Sequence, residues 1–326
     1  MTLVLGELDV NALTEMTALI SVLENGQIEH SRGKVVQPMR SRVTISPYPG
    51  FLDIMPGYVK KSDALSVKVL TSRKNNREAG RPVIYATVLL IDARSGRLMA
   101  IMDGGSVTAI RTAAVSGVAT RYLARKDARS LAVIGTGRQA RTHLWSMLNV
   151  RPIEKIIAHD HHIESAERFK QEMENRFHVK IVLVESVEDA VKTADIVVLS
   201  TTTTDPVLRG DWLREGMHIN SIASATPNVR ELDTTAIKKS KVVVDSKEVA
   251  LLESGDILIP ISEGEVTSGH IHAEVGEIAA GKKPGRLNDQ EITLYKSMGL
   301  AIQDTAAANW LYQKAREHGR GIEVNI

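Results

Sequence analysis

There is no cysteine anywhere in the 326 residues. Disulfides, thiolate zinc sites and cysteine nucleophiles are thereby excluded. The lack fits a reducing compartment, so a cytoplasmic location is expected. Aromatic side chains make up only 4%, too few to build stacking platforms for nucleic-acid bases. Excess charge is missing as well: 41 Lys plus Arg face 39 Asp plus Glu. That balance offers no attraction to nucleic acid or to an anionic membrane, and neither is expected as a partner. No apolar run approaches the roughly 20 residues of a membrane-spanning helix. The best runs, at 88–91 and 196–199, have the length of strands. Residues 1–10 carry acids and no basic stretch, so they do not read as a secretory leader.

What is present is a globular balance, 43% hydrophobic and 25% charged. The length exceeds one ordinary core and suits two domains. The first hundred residues read as mixed α/β, with apolar positions at helical spacing over 9–23 (Leu13, Met16, Leu19, Ile20, Leu23). Short strands are expected at 43–46, 51–55, 64–70 and 84–91, with a hairpin turn at Ser95, Gly96 and Arg97. An Ala-rich helix is expected over 106–123. Strands at 131–134, 155–158, 180–184, 196–200, 218–222 and 241–245 then alternate with helical stretches to 148, over 163–177 and over 187–193. Such alternation predicts a parallel sheet covered by helices. The tail, 300–316, is helical again.

The sharpest local motif is a strand ending in Gly135, Thr136, Gly137, Arg138, Gln139 and Ala140, followed by a helix. In a G-x-G-x-x-A turn the first glycine makes the bend and the second admits a pyrophosphate to the backbone. The small third residue packs helix on strand, and the helix N-terminus faces the phosphate charge. The alternative is an ordinary glycine turn. Asp160 ends the next strand, where an acid hydrogen-bonds ribose hydroxyls and repels a 2′-phosphate. NAD(H) is therefore favoured, with NADP(H) as the alternative because His161 and His162 would suit a phosphate. The cluster His159, Asp160, His161 and His162 also admits a metal reading, but it lacks distant ligands, and no metal is expected. His270 and His272 read as plain alternation in an extended segment.

Lys68 lies inside the apolar run of residues 65–70. It is either on a solvated strand face, which composition favours, or aimed into a pocket. Arg111, near the start of the Ala-rich helix, suits a carboxylate clamp, the alternative being a surface arginine. Arg40 and Arg42 are candidates for the same task.

Taken together these residues resemble the ornithine cyclodeaminase/mu-crystallin family over nearly the whole chain. The resemblance rests on Met55-Pro56-Gly57-Tyr58, Lys68, Met102-Asp103-Gly104, Thr108 to Ala114, Ile134 to Ala140, and Pro227 followed by Arg230-Glu231-Leu232. It continues in Val244-Asp245-Ser246, Glu274-Val275-Gly276-Glu277 and Gly299 to Asp304. It implies an α/β fold: a Rossmann domain with a parallel sheet at 121–302, and a split α+β substrate and dimerisation domain formed by both chain ends, 1–120 with 303–326. It further implies a homodimer acting on a small amino or imino acid. Arg40, Lys68, Arg111 and Met55 fall at substrate positions, with Lys68 also the catalytic proton donor. Thr112, Gly135, Thr136, Gly137, Arg138, Gln139, Asp160, Ser200, Thr201 and Ser224 fall at cofactor positions.

One departure stands out. Cyclodeaminases carry an aspartate two residues before the proline matching Pro227, and this chain has Ala225 there. Alanine cannot act as a base, although Glu274 or Glu277 would be substitutes. The expected activity is reduction of a ketimine or a cyclic imine such as pyrroline- or piperideine-2-carboxylate. Ornithine cyclodeaminase, an alanine-type dehydrogenase and a non-catalytic mu-crystallin-like binding protein are the alternatives.

Overall fold

A computed structural model describes residues 1–77, 79–222 and 226–326. The chain divides into two compact units, Met1–Arg111 with Leu300–Ile326, and Thr112–Gly299. The division falls inside the helix Gly104–Leu123.

The first unit is built on an eight-stranded sheet. Its order runs Ile322–Val324, Thr2–Leu5, Leu98–Asp103, Ile84–Asp92, Ala64–Ser72, Phe51–Val59 and Val35–Val36, with Ser41–Thr44 also paired to Phe51–Val59. All pairs are antiparallel except Thr2–Leu5 with Leu98–Asp103. The helix Ala301–His318 lies against the two strands Phe51–Val59 and Ala64–Ser72, and Met16–Ser31 packs on that helix. Gly57 permits the approach: a Cβ there would sit 2.7 Å from Thr305 Oγ1.

Side chains alternate across a strand, and in Ala64–Ser72 the alternation places Ala64, Ser66 and Lys68 on the buried side. Leu65, Val67 and Val69 face outward and are only half-buried. Lys68 is 1% exposed, so the solvated-face expectation is corrected. The helix Ala301–His318 covers the polar side of this strand and supplies the partners that make burial of an ammonium tolerable.

A second correction concerns residues 9–23. Two helices, Glu7–Leu13 and Met16–Ser31, replace the single one. The apolar spacing continues across the break, while the backbone at Thr14 and Glu15 is extended.

The second unit is an eight-stranded, fully parallel sheet, as the alternation of elements predicts. Its order is Ile181–Leu183, Lys155–His159, Ser130–Ile134, Ile196–Leu199, His218–Ser221, Ile292–Lys296, Ser240–Val244 and Ile271–Glu274. Leu131, Val133, Ile196 and Val198 are buried together with Leu144 and Phe169. Each such side chain contributes about 1.5–3 kcal/mol of transfer free energy. Ser130–Ile134 and Ile196–Leu199 are neighbours although a long stretch of chain separates them. Strand order reverses at this pair, which makes their carboxyl ends a ligand crevice by topology. Among the described residues, no helix is long and apolar enough to cross a membrane.

Candidate active site

Lys68 occupies the central row of the first unit's sheet, paired with Met55 on one side and Val88 on the other. Its Nζ donates to Asp304 Oδ2 at 2.7 Å. The other carboxylate oxygen, Oδ1, accepts from Arg111 Nε at 3.1 Å, and Arg111 Nη1 donates to Gln303 Oε1. Lys68, Arg111 and Asp304 are all buried. Burial pulls the Lys68 ammonium down to about 8, with the guanidiniums of Arg111 and Arg40 adding to the effect and Asp304 opposing it. Burial would raise Asp304, but Arg111 and Lys68 hold it below the usual carboxylate range.

Arg40, half-buried, is thus electrostatically part of the group. Arg42 is not: its guanidinium makes two 2.7 Å hydrogen bonds to Asp53 and lies 3.8 Å over the Phe51 ring. That occupation removes Arg42 as a candidate clamp. Met55 is buried beside Lys68. Sequence reasoning gave no part to Asp304 or Gln303 as partners; both lie in the motif 299–304, but a carboxylate more than 230 residues from Lys68 carries no local signal.

In the second unit, Gly135 turns the chain at φ +81°, and a Cβ there would meet the Ser200 carbonyl oxygen at 2.7 Å. Ser200 Oγ donates to the Gly135 carbonyl at 2.9 Å. Gly137 precedes the helix Arg138–Val150 without a side-chain cap, and a Cβ on Gly137 would find no protein atom within 4 Å. Gln139 Oε1 is buried with no hydrogen-bond partner among the described residues. An uncapped helix N-terminus and open space over Gly137 fit a dinucleotide pyrophosphate. Asp160 Oδ2 accepts the Thr136 N–H at 2.7 Å and its hydroxyl at 2.8 Å, and Oδ1 accepts the His162 N–H at 2.9 Å. Burial raises this carboxyl, yet those donors hold it below its ordinary value, so the acid is charged at neutral pH. Arg138 lies exposed at the helix start, and Thr112 is buried on the helix Gly104–Leu123. Ser224 and Ala225 lie outside the described residues.

Thr201 leads to a network that sequence reasoning missed. Its N–H and hydroxyl both donate to Glu231 Oε1, at 3.0 and 2.8 Å, while Ser221 Oγ donates to Oε2. Asp256 accepts the N–H groups of Glu231 and Leu232 and pairs with Lys296 at 2.7 Å. Burial raises the Glu231 carboxyl, with Lys296 opposing. These buried charges tie together the ends of the central strands.

The histidines turn to structural tasks. His270 Nε2 meets the Ile237 carbonyl and His272 Nε2 the Pro284 carbonyl. No group of three or more metal-ligating side chains occurs among the described residues.

The ornithine cyclodeaminase/mu-crystallin family model matches residues 1–319. The Delta(1)-pyrroline-2-carboxylate reductase of Bacillus cereus is 39% identical over 315 residues, 96% of this chain and 97% of the relative. Among solved structures, the Thermococcus litoralis Delta(1)-pyrroline-2-carboxylate reductase in complex with NADH and L-proline superposes with a TM-score of 0.96 at 45% identity, covering 99% of this chain and 100% of that one. An archaeal alanine dehydrogenase dimer with bound NAD gives 0.92 at 32% identity, covering 99% of each.

Proposed function

The chain belongs to the ornithine cyclodeaminase/mu-crystallin family, and on that footing we propose that it is an NAD(H)-dependent reductase of small cyclic 2-imino acids. The observation that carries the reading is a buried cluster: Lys68 and Arg111 share the carboxylate of Asp304, and the Arg40 guanidinium adds its field at Lys68. Such a group attracts a second, substrate carboxylate. Arg111 and Arg40 grip that carboxylate, and Met55 offers an apolar surface beside it. Lys68, with its pKa drawn down to about 8, is protonated at neutral pH and acidic enough to give its proton to an imine nitrogen. Bound NADH supplies the hydride for the C=N carbon. Gly135, Thr136, Gly137, Arg138 and Gln139 would hold the pyrophosphate region, Asp160 the ribose hydroxyls, and Thr112, Ser200 and Thr201 the nicotinamide half. Reduction needs a proton donor but no base for water, which agrees with Ala225.

The reading includes a homodimer. The outer side of the first unit's sheet carries cross-strand rows Ile54 with Val69, Pro56 with Val67 and Leu89, and Tyr58 with Leu65 and Ile91. These side chains are not buried in the single chain. An apolar face of this kind favours covering by a second copy.

NADH oxidation with pyrroline-2-carboxylate and piperideine-2-carboxylate at mildly acidic pH tests the activity. Turnover is expected with at least one. Failure with every imino acid, together with release of ammonia and proline from ornithine, overturns it. A monomeric mass in solution by light scattering overturns the dimer alone.

A further inference from the structure

We propose that Asp304 is the positioning residue of the site: its two oxygens, each tied to a different cation, fix the Lys68 ammonium and the Arg111 guanidinium relative to one another. The inference rests on the reading of this pocket as an imino-acid site. Asp304 itself is not the catalytic acid. Oδ2 receives Lys68 and Oδ1 receives Arg111, and those cations keep the carboxyl ionised. It therefore acts through its partners.

The support of Asp304 is rigid. It lies in the first turn of the helix Ala301–His318, where the helix dipole favours an anion. That turn is held at several points. Gln37 Oε1 accepts the Ile302 N–H at 3.0 Å, and Ser66 and Thr305 share a 2.8 Å hydroxyl contact. Gln303 takes Arg111 Nη1. With Nε on Asp304 and Nη1 on Gln303, the direction of the Arg111 fork is fixed. The same carboxylate decides the charge of Lys68. The charged groups that face Lys68 are Asp304 from the helix Ala301–His318, Arg111 from the helix Gly104–Leu123 and Arg40 from the segment before Ser41–Thr44. Of these, Asp304 alone favours the ammonium. Without it, burial and two guanidiniums drive the proton off at a lower pH.

The test compares wild type, Asp304→Asn and Asp304→Glu as full chains with NADH. In Asp304→Asn, the alkaline limb of kcat/KM for imine reduction moves down by about one pH unit or more, the direction expected when a stabilising anion leaves an ammonium. At pH 7 its kcat/KM falls on the order of 100-fold. Asp304→Glu retains the charge and keeps the limb within about half a unit of wild type, whatever rate it loses. A limb that stays put in Asp304→Asn overturns the proposal, because loss of packing alone does not move a titration. Binding of the planar analogue pyrrole-2-carboxylate to the NADH complex, followed by calorimetry against pH, gives a second readout free of turnover. The same downward shift is expected there. If wild type binds the analogue but reduces no imine, the functional reading falls while the binding arm still judges Asp304. If wild type does neither, both fall. Should Asp304→Asn fail to fold, Lys68→Met with Asp304→Asn removes both charges together. Recovery of a folded protein supports the pairing, and failure of both makes Asp304 a fold determinant and overturns its positioning role.

Discussion

The carboxylate of Asp245 receives the backbone N–H of Gly299 at 2.8 Å. It receives the N–H of Met298 as well, at 3.0 Å. Gly299 has φ +76° and comes just before the helix that carries Gln303 and Asp304. A fully buried acid thus accepts two backbone N–H groups at the entry to that helix. Replacing Asp245 by Ala removes these charge-assisted hydrogen bonds, and the expected loss is about 2 kcal/mol or more. Urea unfolding measures it, and a midpoint equal to wild type would contradict the assignment.

Lys68→Met is expected to lower kcat/KM for imine reduction on the order of 1,000-fold, with NADH binding by fluorescence titration unchanged. Arg111→Lys keeps the charge but loses the planar fork, so KM rises about tenfold or more. In wild type the sign of the pH effect follows from which form works. On the proposed reading the donor is the Lys68 ammonium, whose pKa is drawn from 10.5 down to about 8. Reduction therefore declines as pH rises through about 8, whereas amino-acid oxidation, which needs the neutral amine, gains over the same interval. A reduction rate that climbs steadily to pH 10 is incompatible with Lys68 as donor.

On the proposed reading, Asp160 is the residue that sets the cofactor preference. Wild type is expected to favour NADH over NADPH by about tenfold or more, and Asp160→Ala to weaken NADH and narrow that ratio by a similar factor, since the variant loses both an acceptor for ribose and a repulsion for 2′-phosphate. Dissociation constants for the two nucleotides decide it. A ratio unaltered by the substitution would remove Asp160 from the ribose site.

Acid should loosen the second unit before carboxylates titrate. His143 meets Ser116, and His218 lies among Thr120, Thr293 and Asn220. Burial pulls them from 6.5 down to about 4 and about 3. Their folded-state pKa values are the lower ones, so the unfolded chain binds more protons between about 6.5 and 4, and stability falls as pH drops through that window. At pH 5 each histidine costs about 2 kcal/mol relative to pH 7. Urea midpoints at the two pH values check this, with His143→Gln expected to remove part of the difference.

The parallel sheet and its glycine turn were legible because their signals are local: a strand, Gly135, Gly137, a helix and an acid one strand later. The strands Thr2–Leu5, Ile292–Lys296 and Ile322–Val324 escaped a local reading. Ile292–Lys296 enters the sheet out of chain order, between His218–Ser221 and Ser240–Val244. Lys68 and Arg111 were visible as residues, but the burial of Lys68 was not. Leu65 and Val67 make the other side of that strand look like the core side. The inversion depends on Asp304 and Thr305, which the chain supplies only at its far end. Glu231 was equally hidden, because its donors Thr201 and Ser221 come from two different strand ends.

The turned strand Ala64–Ser72 has a cost for the newly made molecule. By hiding Ser66 and Lys68 and leaving Leu65, Val67 and Val69 outside, the fold gives each fresh polypeptide a greasy plate. If a second copy covers that plate, dilution or weak expression lengthens the time each chain spends with it uncovered, and with it the dependence on chaperones.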